Sequence, residues 1–495
     1  MINELYIAVD LGAGSGRVFL AGFDENEFTL EEIRRFQYPP NEENGFLRWD
    51  FKLIFEEIKK GLRQAGERAE VLKREIYSLG VDSWAVDYGL LDGNRNLLEN
   101  PICYRDGRTN GAMEKVFAKI SRAEIFDKTG IQFLNFNTLY QLFSENETLR
   151  KADKLLLLPD LINYFLTGKV FCEYTNATTT QFLNAATKNW DFEIFEKLNL
   201  PQNLLPEIIA AGTDLGFLKA DVADELNLKN VRVVAPATHD AASAVVGAPL
   251  EKNQAYISSG TWSLVGVERG EVLINAGVAK NNFTNEGGAF GTIRFLKNVM
   301  GLWIFESCRK EWKQRGIETN YENLLREVGQ IKEFCGFIYP DDKRFLNPPN
   351  MSQAIAEQLR ETGQNSGENP MIVTKIILDS LAFRYASVIE TIENLTNEKI
   401  AGVQIVGGGG RNNYLNQMTA DASGLCVQAG LFEATVTGNV LVQAISAGRF
   451  SNLSEARKYV AKNVNLKSFE PRESQKLNAA KKRYAEIENI FFKTN

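Results

Sequence analysis

The sequence predicts an α/β protein built as two related halves, and three observations carry that prediction. Apolar strand-like runs (Tyr6–Val9, Val231–Ala235, Val403–Val406) alternate with helical patterns (Phe51–Ala65, Val373–Leu395, Asn412–Ser423), the alternation that produces sheets flanked by helices. The 495 residues exceed what one core organises, at roughly 100–200 residues per domain. Finally, Tyr6–Phe23 and Ala255–Glu268 each read as strand, small-residue turn, strand, an internal similarity that sets a boundary near residue 247. The expected domains are residues 1–246 and 247–495. The basic helix Gln475–Phe492 reads either as packing back on the first domain or as an ordinary surface helix.

Composition narrows the chemistry. A formal net charge of −7 provides no basic stripe for a nucleic acid backbone, so nucleic acid is excluded as a partner. The single histidine, His239, excludes a zinc site built on two or three imidazoles. Five scattered cysteines without a C-x-x-C pair support neither a metal knuckle nor a redox site, and they fit a reducing cytoplasm. The N-terminus runs into a strand without the features of a signal peptide. The most apolar stretch, Leu155–Leu166, is interrupted by Pro159, Asp160 and Asn163 and is too short to span a membrane.

The first glycine-rich segment, Asp10–Arg17, follows a strand but is not a dinucleotide fingerprint. Arg17 occupies the place of the third glycine, and Val18–Gly22 reads as a second strand instead of a helix. No P-loop occurs. Such a hairpin gathers backbone donors around phosphate oxygens, with Ser15 and Arg17 adding side-chain donors and Asp10 placed to hold Mg²⁺ through water; an ordinary hairpin turn is the alternative.

The turn Ser258–Trp262 offers the same donors, with Thr261 as the preferred hydroxyl. Gly407–Gly410 stands between a strand and a helix, where backbone can approach a base or ribose. Asp240 opens a small-residue helix; it is either an N-cap or a carboxylate that accepts a proton from a substrate hydroxyl. Asp82, Trp84 and Asp87 combine carboxylates with an indole, which suits a sugar, although a half-buried strand end explains them equally well. Asn298 and Glu306 are expected on one helix, Asn298–Lys310, about 12 Å apart along its axis.

Together these segments resemble the FGGY carbohydrate kinases of the actin-like (ribonuclease H-like) ATPase fold. The resemblance rests on Ala8–Ala13 with Ser15–Arg17, Tyr104–Asp106 with Arg108–Gly111, Gly130–Leu134 with Phe136–Gln141, Glu173–Gln181, and His239-Asp240 with Ala242–Val245. It continues through Ser258–Leu264, Thr284–Gly288, Leu296–Asn298 with Met300–Trp303, and Ile405–Gly409, so it covers nearly the whole chain. The blocks from Tyr104 to His239-Asp240 are specific to the branch of that family whose sugar is L-rhamnulose.

The resemblance implies two actin-like domains around a central cleft, the first binding sugar and the second nucleotide. It implies phosphorylation of L-rhamnulose by ATP with Mg²⁺ at the 1-hydroxyl, in a monomer or homodimer. Asp240 would be the proton acceptor. Ala85, His239, Asp240, Ala241 and Asn298 would line the sugar, while Ala13, Gly14, Ser15, Gly16, Arg17, Thr261, Glu306 and Gly408 would contact ATP, and Asp10 would help hold Mg²⁺. The chain departs from the family pattern in three places. Gly14 stands where serine is frequent, Ala85 replaces a glycine, and Glu306 replaces a glutamine. L-fuculose or another ketose is the second reading of the substrate, and an actin-fold ATPase or sugar-sensing module is the reading from a different class.

Overall fold

The computed structural model describes residues 4–23, 27–145, 147–317, 319–331, 334–365 and 369–492. By compactness the chain forms two bodies. The first takes Met1–Pro249, Glu268–Phe295 and Ala434–Asn463; the second takes Leu250–Val267, Leu296–Glu433 and Val464–Asn495. By this measure two segments later than residue 249 group with the first body.

The first body is organised by a six-stranded sheet of β1 (Glu4–Gly12), β2 (Ser15–Phe23), β3 (Phe28–Gln37), β4 (Glu75–Ser83), β5 (Asp214–Phe217) and β6 (Arg232–Val234), in the order β5-β6-β4-β1-β2-β3. β1 and β2 form an antiparallel hairpin, whereas β1 and β6 run parallel to β4. Leu5–Leu11 are buried on both faces of the sheet, as the continuous apolar run requires. Helix α1 (Phe51–Leu72) covers one face with Phe51, Ile54, Ile58, Leu62 and Ala65, which join the core of Ile7, Val9, Val18 and Leu79. Its start is set by Asp50, whose side chain accepts from the Leu53 amide at 2.9 Å. Helix α2 (Asp240–Gly247) follows β6 after a short connection.

The second body carries β7 (Gln254–Ser259), most of β8 (Trp262–Arg269) and β9 (Ile293–Met300), whose Glu268–Arg269 and Ile293–Phe295 group with the first body, and β10 (Gly402–Val406), β11 (Val427–Ala429) and β12 (Lys467–Phe469), ordered β9-β8-β7-β10-β11-β12. Its helices include α3 (Trp303–Gln314), α4 (Pro370–Thr396) and α5 (Asn413–Ser423). The terminal helix Gln475–Phe492 buries Leu477, Ala480, Tyr484, Ile487 and Phe491, and Ser387 of α4 donates to its Glu488 at 2.7 Å. By compactness it groups with the second body. The alternating spacing of three and four residues gives it one apolar stripe, and that stripe is spent here.

The returning helix α6 (Ala434–Ser446) packs backbone to backbone against α2 within the first body. A Cβ on Gly438 would lie 1.8 Å from the Ser243 carbonyl oxygen, and one on Gly247 would lie 2.3 Å from that of Ala434. Only hydrogen fits at either place. The same helix aims two amides at the sheet. Asn439 Nδ2 donates to the Asp82 carboxylate at 2.5 Å, and Gln443 Nε2 donates to the Ile7 carbonyl at 3.0 Å while its oxygen accepts from Ser78 at 2.7 Å. These pairs satisfy buried polar groups that would otherwise cost about 1–3 kcal/mol each.

None of the five cysteines, all among the described residues, is in a disulfide. Among the described residues no helix is long and apolar enough to cross a membrane. Gly438→Ala is expected to destabilise the protein by about 1–3 kcal/mol or more, through overpacking of α2 against α6. Gly93→Ala, where nothing lies within 4 Å of the added carbon, serves as the control. Chemical denaturation of both variants checks this, and equal midpoints would contradict the close helix contact.

Candidate active site

The β1–β2 register brings three charges onto one row. Asp10 stands opposite Arg17 on β2 and opposite Asp82 on β4. Arg17 donates from Nη2 to the Asp10 carboxylate, and its guanidinium lies 5.2 Å from the Phe19 ring centre. At the turn Gly14 has φ +129°, a conformation that favours glycine, so a serine at this position would strain the hairpin.

Tyr38 pins this turn from one side. Its hydroxyl lies 2.7 Å from the Gly12 carbonyl and 2.9 Å from that of Ser15, and its amide donates to Gly14 at 3.0 Å. Because a trans peptide is planar, the Ala13 amide, across the bond from the Gly12 carbonyl, faces away from Tyr38. Ala13 and Ser15 are exposed on that side. The Ala13 amide is thus left on the face of the turn away from Tyr38.

Asp240 is the first residue of α2. The cap position belongs to His239, and the Asp240 carboxylate accepts from the amide of Ala241 at 2.6 Å. The N-cap reading of Asp240 is thus corrected by one residue. Its side chain keeps 31% of its surface, whereas the groups behind it are closed off. His239 Nε2 lies 3.4 Å from Asp240 Oδ1. Arg294 Nη2 lies 3.0 Å from His239 Nδ1 and 2.9 Å from the Glu286 carboxylate, and Arg294 Nε donates to the Gly287 carbonyl at 3.0 Å. Burial and the charge of Asp10 push the Asp240 carboxyl up to about 7, opposed by the Ala241 amide and Arg294. Burial and Arg294 hold the His239 imidazole well below its ordinary range.

The Glu173–Gln181 block fixes this cluster from beneath. The buried Glu173 carboxylate accepts from the Thr238 amide and hydroxyl, each at 3.0 Å, and from the Thr175 amide and hydroxyl. Thr178 accepts from the Gly287 amide at 2.9 Å. One short motif thus holds both the segment preceding Asp240 and the strand Thr284–Gly287 that carries Glu286.

Ala85 is half-buried in a loop joined to the same region by a bridge between Ser83 and His239. The neighbouring carboxylates do not face a sugar. Asp82 is fully buried against Asn439, and Asp87 is ringed by the indoles of Trp49 and Trp84, the Gln141 amide and the Tyr104 backbone. The Trp84 ring is likewise buried, stacked 6.0 Å from Tyr38 and packed 4.7 Å from Trp49. These residues shape the loop. They hold Val86 at φ +70°, strained for a β-branched residue, with its carbonyl clamped by Thr138 at 2.8 Å and Gln141 at 3.2 Å.

In the second body Thr261, Glu306 and Gly408 gather around the β7–β8 turn. The amides of Gly301 and Trp303 donate to the Thr261 carbonyl at 3.1 and 3.2 Å, so α3 starts against this turn and carries Glu306 in its first turn. Glu306 is exposed and paired with Arg309 at 2.7 Å, so the carboxylate that replaces glutamine brings its own cation. A Cβ on Gly409 would meet Ser259 Oγ at 2.1 Å, whereas Gly408 is exposed with open space beside it. The N-terminus of α5 is already capped by Asn412, which accepts from the Leu415 amide at 3.0 Å.

Asn298 lies on strand β9 and Glu306 on α3, so the single helix expected over Asn298–Lys310 does not form. Strand pairing claims residues through Met300. Gly301, closely packed on Gly260 and Trp262, makes the break.

Arg294 and Glu286 were not singled out by the sequence reading. The available signal was an arginine inside the apolar run Ile293–Leu296, which must be paired if the strand is buried.

A hairpin within the main sheet of each body, with Asp240 opening a helix in the first and Glu306 in the first turn of a helix in the second, fits a phosphotransferase of the actin-like class. Family models agree: the N-terminal domain of the FGGY family of carbohydrate kinases matches residues 5–247 and its C-terminal domain matches residues 255–447, and the chain belongs to this family. Its curated relatives point to one branch. The chain is 41% identical to a rhamnulokinase of Bacteroides thetaiotaomicron (97% of this chain, 98% of the relative), 42% to one of Ligilactobacillus salivarius (95% and 96%) and 40% to one of Bacillus subtilis (95% and 96%). Solved structures share the fold. A xylulose kinase from Rhodospirillum rubrum superimposes with TM-score 0.80 at 15% identity, covering 98% of each chain. Plasmodium falciparum glycerol kinase with ADP gives 0.79 at 14%, covering 99% of this chain and 98% of its own.

The adjacent glycines Gly408 and Gly409 separate exposure from packing. Gly409→Ala is expected to lower the apparent melting temperature and Gly408→Ala to leave it unchanged, as calorimetry of the two variants will show.

Proposed function

We propose that this kinase transfers the γ-phosphoryl group of ATP to the 1-hydroxyl of L-rhamnulose, forming L-rhamnulose 1-phosphate in L-rhamnose degradation. Identity of about 40% to curated rhamnulokinases over nearly the whole chain supports the sugar. The single observation that carries the mechanism is the part-exposed Asp240 carboxylate set in an otherwise closed polar cluster. We assign sugar binding chiefly to residues of the first body and nucleotide binding chiefly to residues of the second, with the β1–β2 turn (Ala13–Arg17) meeting phosphate. Ala85, His239, Asp240, Ala241 and Asn298 are the proposed sugar contacts; Thr261, Glu306 and Gly408 are the proposed nucleotide contacts. Five cysteines outside any disulfide fit a reducing, ATP-containing compartment, the cytoplasm.

Asp240 orients the 1-hydroxyl and takes its proton as the oxygen attacks the γ-phosphorus. The new O–P bond forms as the bond to the β-phosphate bridging oxygen breaks, releasing ADP. The transition state is loose, so positioning and charge stabilisation carry most of the acceleration. Among the described residues no group of three His, Cys, Asp or Glu converges on a cation. Mg²⁺ arriving with ATP needs only one or two carboxylates, and the negative row of Asp10, Asp82 and Asp240, which raises the Asp82 and Asp240 carboxyls, suits it. Asp10 would hold it, and its chemistry would be neutralisation of phosphate charge.

An ADP-release assay over a panel of ketoses tests the assignment: L-rhamnulose should give the highest kcat/KM, and preference for L-fuculose would move the substrate. Asp240→Asn should bind both substrates while kcat falls about 100- to 10,000-fold; near-normal turnover would remove Asp240 from the chemistry. With its carboxyl near 7, Asp240 is the required base only when deprotonated. Hence kcat/KM for the sugar should rise tenfold per unit below about pH 7 and level off above it.

A further inference from the structure

We propose that Glu286, Arg294 and His239 form a positioning relay that fixes the Asp240 carboxylate by locking the only imidazole of the chain in one neutral tautomer. An arginine can only donate. Arg294 Nη2 lies 3.0 Å from His239 Nδ1, so this ring nitrogen must offer its lone pair, and the ring proton is left on Nε2. Nε2 lies 3.4 Å from Asp240 Oδ1, so the ring proton left on Nε2 stands next to the carboxylate. Glu286 holds the other side of the same Nη2 at 2.9 Å and the Gly287 carbonyl fixes Nε at 3.0 Å, so the guanidinium has little freedom to rotate. Arg294 is fully buried and the His239 side chain only 9% exposed.

The groups facing the ring are few. They are Asp240 on α2, Arg294 on β9 and Glu286 on the strand Thr284–Gly287. Thr175 Oγ lies 3.4 Å from the His239 amide, with the Glu173 carboxylate behind it under Thr238. Asp10 and Asp82 act on the cluster through Asp240. Protonation of the ring would place a cation against Arg294, so His239 serves at all working pH as a neutral donor and transfers no proton itself. His239, Arg294 and Glu286 are positioning residues.

The inference rests on reading Asp240 as the base, but its principal test does not need turnover. Because His239 is the only histidine, nitrogen-15 labelling of histidine gives one imidazole to observe in the intact protein. The relay predicts a single Nε2–H tautomer that does not titrate from about pH 5.5 to 8.5. An Nδ1–H tautomer, or titration near the ordinary histidine value, overturns the relay without touching Asp240.

Arg294→Met should release the ring into titration or tautomer exchange. Glu286→Gln, which keeps the arginine and the shape, should show the same loosening to a smaller degree if Arg294→Met fails to fold; an unchanged spectrum in a folded variant overturns the relay. His239→Leu removes the neutral donor that stands beside the Asp240 carboxylate. It should lower kcat about 10- to 100-fold, leave KM for ATP unchanged and move the acid limb of kcat/KM to higher pH, because the carboxylate loses a donor. His239→Gln can still donate and should recover part of kcat. A collapse of ATP binding, or equal loss in both variants, would mean a structural role only. Failure of Asp240→Asn to lose turnover would instead sink the reading of the base.

Discussion

Crowded negative charge on one row of strand ends is the constraint around which the first body is organised. Asp10 and Asp82 sit side by side because β1 and β4 are parallel in that register, and Asp240 begins the helix nearby. None of these charges is tolerable alone in a buried setting. Each is answered by a different element: Arg17 from the same hairpin for Asp10, Asn439 from a helix more than three hundred residues later for Asp82, and the Ala241 amide with the histidine in front of Arg294 for Asp240. The result is graded. Asp82 is sealed, Asp10 is buried and paired with Arg17, and Asp240 alone keeps open surface, with a carboxyl near neutrality, the state the proposed base needs.

That arrangement explains why so much of the chain is spent on holding a few atoms. The Glu173 carboxylate, far from solvent, uses its lone pairs on Thr175 and Thr238 to fix the segment that leads into Asp240. The Asp87 carboxylate collects four donors to keep a strained loop in place beside it. Fully satisfied buried polar networks of this kind specify one geometry, because any shift leaves a partner unmade. In the second body the equivalent precision comes from glycine, where Ser259 and the segment after β9 press directly on bare backbone.

Much of this was legible in the sequence, and what was not has a physical reason. Both hairpins, the strand before the four glycines and the helix beginning at Asp240 follow from local pattern, since turn residues and apolar periodicity act over a few positions. Asn298 was misplaced on a helix because its pairing partners, which turn Ile293–Met300 into strand β9, are remote in sequence. Asp82 and Trp84 looked like sugar contacts because residue type does not reveal burial; Asn439, Tyr38 and Trp49, which cover them, are brought in by tertiary structure. Glu286 and Arg294 escaped for the same reason, because a charge pair eight residues apart becomes meaningful only when two strands bring it beneath the lone histidine. The membership of Ala434–Asn463 in the first body was likewise invisible, since a helix of small residues does not announce which face it will fill.

The discontinuity of the first body has a consequence for its birth on the ribosome. When the first 249 residues have emerged, the sheet can pair, but Ser78, Asp82 and the Ile7 carbonyl still lack the amides of Asn439 and Gln443, and the groove on α2 opposite Gly438 stands empty. The nascent chain must carry that unfinished surface through the synthesis of almost two hundred further residues. At typical elongation rates of about 5–20 residues per second this lasts from roughly ten seconds to most of a minute, a window in which the half-built domain presents buried carboxylate and apolar helix face to chaperones and to its neighbours on the same message.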